Sequence, residues 1–372
     1  MGSATEATRR LGIELPVIQG PFGGGLSTAG LAAAVSNRGG LGSYGAHVLA
    51  PDEIGRVAAE IRALTSRPFN MNLWVSDHDP GGLEMDEAAF EAAWRAFEPF
   101  FREVGAEKPE RPARFGQRYG EQVEALIEAA PPVFSFVYGI PSPAVLAECR
   151  RRGIVTAGAA TSVAEAEALD AAGVDVIVAT GFEAGGHRPS FLGRAEDQLM
   201  GTFVLTQLAA ARVKAPVVAA GGIADGRGVR AALALGAQAA QIGTAFLACA
   251  ESGTTDDHRA ALFGEAAQRT GLTRAFTGRL ARGVRNRWLE EGVAACPFPA
   301  QGWFLSKLRP AALAAGRSDL VSLWSGQIAP NLRHRTAAAL MEALAAELYG
   351  GTGRRQAPAA SRRVKPTFSP TW

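Results

Sequence analysis

The chain has 372 residues, of which 47% are hydrophobic and 20% charged, a make-up that excludes wholesale disorder and allows a large buried core. A formal net charge of +2 over that length leaves no concentrated basic face, which argues against nucleic acid or an acidic membrane surface and leaves small-molecule chemistry as the expectation. Cys149, Cys249 and Cys296 are too few and too scattered for a disulfide framework or a thiolate zinc site; no apolar run reaches the roughly 20 residues of a membrane span, residues 1–14 lack a signal-peptide pattern, and the expected compartment is the cytoplasm.

From residue 15 to about 250, short apolar runs alternate with helix-like segments. The strand candidates are 16–19, 40–43, 69–75, 133–137, 154–158, 176–179, 217–220 and 239–242. Each is apolar on both faces, as a buried parallel strand should be. Between them lie amphipathic, Ala- and Leu-rich stretches such as 28–37, 52–64, 162–172 and 228–235, several opened by a capping residue such as Ser162 and closed before a glycine such as Gly173. Eight strand-then-helix units predict an α/β protein with a closed (β/α)8 TIM barrel, because open doubly wound sheets generally carry fewer strands.

Residues 1–252 are therefore assigned to the barrel, with an acidic insertion at 76–117. Phe90, Trp94, Phe97, Phe100 and Phe101 stand at helical spacing in that insertion and are expected to bury a helix against the barrel top. After Ser252 the alternation stops, and 253–350 is expected to be a smaller, mainly helical region packed over the barrel mouth. Residues 351–372 form a basic stretch with no apolar periodicity, for which a mobile tail is the default expectation.

The chemistry-bearing residues follow the strands, where a barrel keeps its active site. Gly20-Pro21-Phe22-Gly23-Gly24-Gly25 follows the first strand, and its small residues allow a flat ring to approach the backbone. Asn70 and Asn72 point to one side of the third strand and need partners, either a ligand or neighbouring loop backbone. His187 follows the sixth strand within Gly181-Phe182-Glu183-Ala184-Gly185-Gly186-His187-Arg188 and is the candidate acid or base. Gly221-Gly222 follows the seventh strand and Gly243-Thr244 the eighth, the usual place for a phosphate held by backbone amides and a helix N-terminus. Of the other histidines, His47 can reach the mouth, whereas His78, His258 and His334 are expected at the surface. The histidine and carboxylate spacing fits no zinc site, so no metal is expected, and the chain has no Gly-x-Ser-x-Gly elbow of a hydrolase.

These motifs together resemble the nitronate monooxygenases, formerly 2-nitropropane dioxygenases, over most of 15–330. The resemblance runs through Gln19-Gly20-Pro21, Leu26-Ser27-Thr28, Ala33-Ala34-Val35-Ser36-Asn37, Gly39-Gly40-Leu41-Gly42, Asn72 and the Gly181–His187 stretch. It continues through Gly221-Gly222-Ile223-Ala224-Asp225-Gly226 and Gln241-Ile242-Gly243-Thr244-Ala245-Phe246 to Leu323-Trp324-Ser325-Gly326-Gln327. It implies an FMN enzyme that uses oxygen to convert nitronates such as propionate 3-nitronate to carbonyl products. By position it implies His187 as catalytic base, Gly20, Pro21, Phe22, Asn72, Thr180, Gly185 and Gly186 beside the flavin, and Gly221, Gly222, Gln241, Ile242, Gly243 and Thr244 around its phosphate. The implied partners are a nitronate or nitroalkane and oxygen, with self-association left open. Thr180 stands where the family often has Gln, and Phe22 where it usually has Met, both of which bear on substrate choice.

A flavin enoyl-[acyl-carrier-protein] reductase would share the barrel, the phosphate turns and the histidine motif; the Leu-Ser-Thr, Ala-Val-Ser-Asn and Trp-Ser-Gly-Gln stretches favour the monooxygenase. An NADH:quinone reductase is separable by whether a nicotinamide reduces the flavin. A flavin-binding protein without turnover would not need His187 in a complete glycine frame.

Overall fold

The structure is a computed structural model and describes residues 4–349; the basic stretch at 351–372 lies outside them. Eight parallel strands, Val17–Gln19, Gly42–Gly45, Phe69–Trp74, Val133–Val137, Val155–Ala160, Val176–Thr180, Val217–Ala220 and Ala239–Ile242, make one sheet. The first strand pairs with the eighth, Ile18 opposite Gln241. On its other side it meets the second through a parallel bridge between Ile18 and Leu41, which closes the sheet into the expected barrel.

The alternation of side chains along each strand sorts the core into two layers. Val133, Ala157, Val178, Val218 and Ala220 form one cluster with Leu11 of the helix Glu6–Leu11. That helix covers the N-terminal ends of the strands, with Thr5 donating to the Gln238 carbonyl and Arg10 to that of Asp175. Phe134, Phe136, Ile177 and Val217 face the covering helices. Gly42 lets one of these approach: a Cβ there would stand 1.8 Å from the Ala32 carbonyl oxygen.

The last helix, Ala337–Tyr349, expected with the helical region, instead packs Leu340, Met341 and Leu344 against Leu31, Val35 and Val229 of the barrel layer. Its Ala/Leu periodicity announces an apolar face but does not name the surface that receives it. The region over the mouth is thus inserted between the eighth strand and its own helix. It also carries an antiparallel ribbon, Thr270–Thr273 with Ala281–Val284, which the helical expectation did not include.

The aromatics of the 76–117 insertion pack on that region and not on the barrel top. Phe97 stacks on Phe304 with centroids 4.6 Å apart, and Phe100 meets the edge of Trp288 at 4.9 Å. Insertion and mouth region therefore share one core of Phe90, Phe97, Phe101, Trp288, Phe304 and Leu308. Arg279 ties the same two segments together through Asp79 at 3.1 Å and the Ser76 carbonyl and hydroxyl.

Candidate active site

The C-terminal ends of the strands and the mouth region enclose a cavity of about 970 Å³, a size suited to a cofactor together with a small substrate. At its base the first and eighth strands end in contact. The Gly20 amide donates to the Ile242 carbonyl, and a Cβ on Gly20 would lie 3.2 Å from the Gly243 Cα. Gly23 is held to hydrogen by His47, whose ring would stand 2.0 Å from a Cβ there.

The two glycine turns are built to receive an anion. Gly221 and Gly222 have φ of 113° and 68°, a backbone region open to glycine. A Cβ on Gly222 would find its nearest neighbour at 3.8 Å and one on Gly243 at 3.9 Å, so both face the cavity without obstruction. The amides of Gly222, Ile223, Gly243 and Thr244 donate to no acceptor among the described residues, and all four residues line the cavity. Ile223 and Thr244 are buried, Gly243 is half-buried and Gly222 is exposed, and amides left in this way can donate to an acceptor from outside the chain. The helix Gly226–Ala234 contributes less than the sequence suggested, because Asp225 accepts from the Gly228 amide at 2.9 Å and Glu347 from the Gly226 amide at 2.7 Å.

His187 is fixed by segments remote in sequence. Gly186–His187 forms the third strand of the ribbon, His187 opposite Ala281, and the Arg188 amide donates to the Leu280 carbonyl at 2.8 Å. Its Nε2 lies 2.7 Å from the Thr277 hydroxyl. The ring stands edge-on to Trp74 at 4.8 Å and faces Trp324 at 5.1 Å. Burial holds its pKa well below the usual histidine value, and His47 and Arg279 add repulsion, so the imidazole is neutral at pH 7.

The rest of the motif serves this placement. The Glu183 carboxylate accepts from the Thr202 amide and hydroxyl at 2.9 Å each, which caps the helix Thr202–Arg212. Arg188, 1% exposed, donates to the carbonyls of Thr180, Gly181 and Gln198. Gly185 has no room for a side chain, since a Cβ would fall 2.5 Å from the Gly326 amide nitrogen. That amide in turn donates to the Thr244 hydroxyl at 2.9 Å, which joins the histidine loop, the 323–327 segment and the eighth-strand turn.

Gly20, Pro21, Phe22, Asn72, Thr180, Gly185, Gly186, His187, Gly221, Gly222, Gln241, Gly243 and Thr244 all line the one cavity. Ile242 does not; fully buried, it packs in the barrel core and contributes its carbonyl to Gly20. Asn72 lines the cavity while its amide donates to Ser135 at 3.0 Å, so protein satisfies one side and a ligand can meet the other. Asn70 turns to Ser43 and Ser135.

His258, expected at the surface, is 3% exposed, lines the cavity and hydrogen-bonds the Trp324 carbonyl at 2.8 Å through Nε2. Burial draws its pKa down to about 4. Trp74, Tyr138, Thr277 and Arg309 were not singled out from sequence, and Trp324 entered only through the family resemblance, yet all border the same space. Only Tyr138 carries a local sign, a φ of 66° unusual for a bulky residue. His47 stacks on Trp74 with centroids 4.0 Å apart, and burial, then Arg279, lowers its pKa to about 3.

Among known proteins, the chain is 44% identical to a nitronate monooxygenase of Paraburkholderia phytofirmans, with 91% of this chain and 93% of the relative covered. It is 43% identical to one of Pseudomonas aeruginosa, covering 92% and 99%. Its structure matches that of a nitroalkane oxidase from Streptomyces ansochromogenes with a TM-score of 0.82 at 38% identity, over 92% and 98% of the two chains. FabK from Thermotoga maritima matches at 0.68 and 28%, over 93% and 96%. The family profile described as nitronate monooxygenase spans residues 5–347, and with relatives this similar over nearly their whole length the chain belongs to the nitronate monooxygenase family, whose members are oxidoreductases.

Proposed function

We propose that this protein oxidises alkyl nitronates of the propionate 3-nitronate type to carbonyl products and nitrogen oxides, with FMN as cofactor and oxygen as acceptor. The observation that carries the reading is one cavity lined both by the free amides that follow the seventh and eighth strands and by His187. The chemistry FMN supplies when bound is acceptance of two electrons from the nitronate and their return to oxygen. Gly222, Ile223, Gly243 and Thr244 would hold its phosphate. Gly20, Pro21, Phe22, Asn72, Thr180, Gly185, Gly186 and Gln241, which line the same cavity, would border its ring, with Gly221 shaping the turn. The cytoplasm is the compartment proposed.

A nitronate arrives without its Cα proton, so His187 need only hydrogen-bond a nitro oxygen. A neutral nitroalkane must lose that proton first, and His187 is the base available. Binding of an anion beside the ring favours imidazolium and returns basicity that burial removes.

The test is an anaerobic visible spectrum of FMN-loaded protein mixed separately with propionate 3-nitronate and with NADH or NADPH. Bleaching by the nitronate supports the proposal. Bleaching by a nicotinamide alone would replace it with a reductase of the same fold, and failure to bind FMN would remove its basis.

A further inference from the structure

Five of the eight large apolar side chains exposed among the described residues, Leu192, Leu199, Phe203, Val204 and Leu208, fall between residues 192 and 208. Phe203, on the helix Thr202–Arg212, is 65% exposed. Apolar residues scattered singly over a surface are ordinary, whereas a run of them marks a face that something covers. The other helices around the barrel show what a bare outer face looks like. Pro51–Leu64, Tyr119–Ala129, Pro143–Arg151, Val163–Ala171 and Gly226–Ala234 each turn charge to solvent, through Arg56, Glu124, Arg151, Glu167 and Arg230 respectively. Two helices of the ring lack such charge along their length. Ala29–Ser36 is one, and the last helix, Ala337–Tyr349, packs across it. The other is Thr202–Arg212, uncharged until its final residue; the whole stretch from Gln198 to Ala211 holds no charged side chain, yet Phe203, Val204, Gln207 and Leu208 face outward, uncovered by the described residues. Within this molecule the precedent for an uncharged outer face is a covered one.

The ends of the face point to its cover. Exposed Asp197 precedes the helix, and the cation it reaches among the described residues is Arg194 at 4.0 Å. Lys214, exposed and in no ion pair among the described residues, follows the helix, next to Arg212. The face is thus apolar in the middle, acidic at one end and basic at the other, a pattern complementary to itself. Turned about a two-fold axis, two copies set each acidic end against a basic end, with Phe203, Val204 and Leu208 buried between them. We propose that this protein forms a two-fold dimer through the outer face of Thr202–Arg212 and the segment leading into it. Residues 351–372 suit the face less well, since their Arg and Lys side chains would bring charge of one sign to an uncharged surface. The interface backs the loop that follows His187. Glu165 holds the amides of Phe191 and Leu192 in that loop at 2.6 and 3.1 Å, and Arg188 holds the Gln198 carbonyl, so the second copy closes from outside a loop that the chain pins from within.

Sedimentation equilibrium of the full chain tests this, and the wild type is expected to show twice the mass of one chain, dissociating on dilution. Phe203→Asp and Leu208→Asp, both at exposed positions, should each raise the dimer dissociation constant by at least about 100-fold, because each removes an apolar anchor and buries a charge twice per dimer. Far-UV circular dichroism should be unchanged in both. Asp197→Lys should raise the constant about tenfold, and combining it with Lys214→Asp should restore wild-type association, a rescue that neither misfolding nor unspecific apolar contact would give. A dimer that tolerates all of these substitutions would lie on another face and overturn the proposal. A wild type that is monomeric at every concentration would overturn it as well. In such a monomer, an apolar dye that binds the wild type more than Phe203→Asp would show the face to be bare, and equal binding would give it to residues 351–372.

Discussion

His187 derives its character from what surrounds it more than from its own chemistry. Thr277 fixes the ring through Nε2, and Trp74 and Trp324 remove water from it. His187→Asn keeps a hydrogen-bonding amide but no base. It is expected to leave turnover of a preformed nitronate within about tenfold of wild type and to reduce turnover of the neutral nitroalkane by about 10²–10⁴-fold. Equal losses with both substrates, in steady-state rates at saturating oxygen, would show that His187 serves binding alone. The three depressed histidines also link stability to pH. His47 and His258 titrate in the folded protein near 3 and 4, and His187 well below its usual value, each chiefly through burial. In the unfolded chain they bind a proton near about 6.5. The unfolded state therefore takes up more protons below that value, so their contribution is complete above about pH 6.5 and is lost as pH falls toward the folded values. The denaturant midpoint should be nearly flat from pH 7 to 8 and drop between pH 6 and 4, with His258→Gln losing less over that interval. A midpoint unchanged down to pH 4 would contradict the burial.

At the scale of elements, the strands and turns were largely legible. Every strand candidate lies within about two residues of an observed strand, because each is a short apolar run punctuated by glycine or a helix cap. The glycine turns were legible for the same reason, since positive φ at Gly221 and Gly222 leaves a mark in the sequence. The role of Gly185 was not, because its constraint comes from Ser325 and Gly326, far along the chain. Gly185→Ala must push that backbone away and disturb the Thr244–Gly326 hydrogen bond. FMN affinity is expected to fall by at least about tenfold, the order of one charge-assisted hydrogen bond, while far-UV circular dichroism is unchanged. Wild-type affinity in this variant would show that the 323–327 segment does not support the cofactor site.

For the whole molecule, the decisive feature is the shared core of the 76–117 insertion and the mouth region. Trp288 is fully buried there, donates to the Ala275 carbonyl at 3.1 Å and packs against Phe97 and Phe100. Trp288→Ala should cost about 3–5 kcal/mol, as large core truncations do. Because the barrel has cores of its own, the loss should fall on the roof: limited proteolysis would cut first within 76–117 and 253–336 while the barrel fragment persists. Cleavage spread evenly along the chain would mean that roof and barrel unfold as one unit.

The sequence by itself determined the barrel, the position of its glycine turns and the identity of the family, because these depend on local rules: which residues fit a buried strand, and where only glycine fits the backbone. It also brought His187 to the correct end of the barrel. Tertiary structure alone decided what meets that histidine. Thr277 and Trp324 lie 90 and 137 residues further along the chain, and no periodicity near His187 encodes them. The same holds for His258, drawn from an expected surface into the cavity, and for the last helix, which returned to the barrel. Burial depends on which apolar face finds which other, and that pairing is a property of the folded chain as a whole.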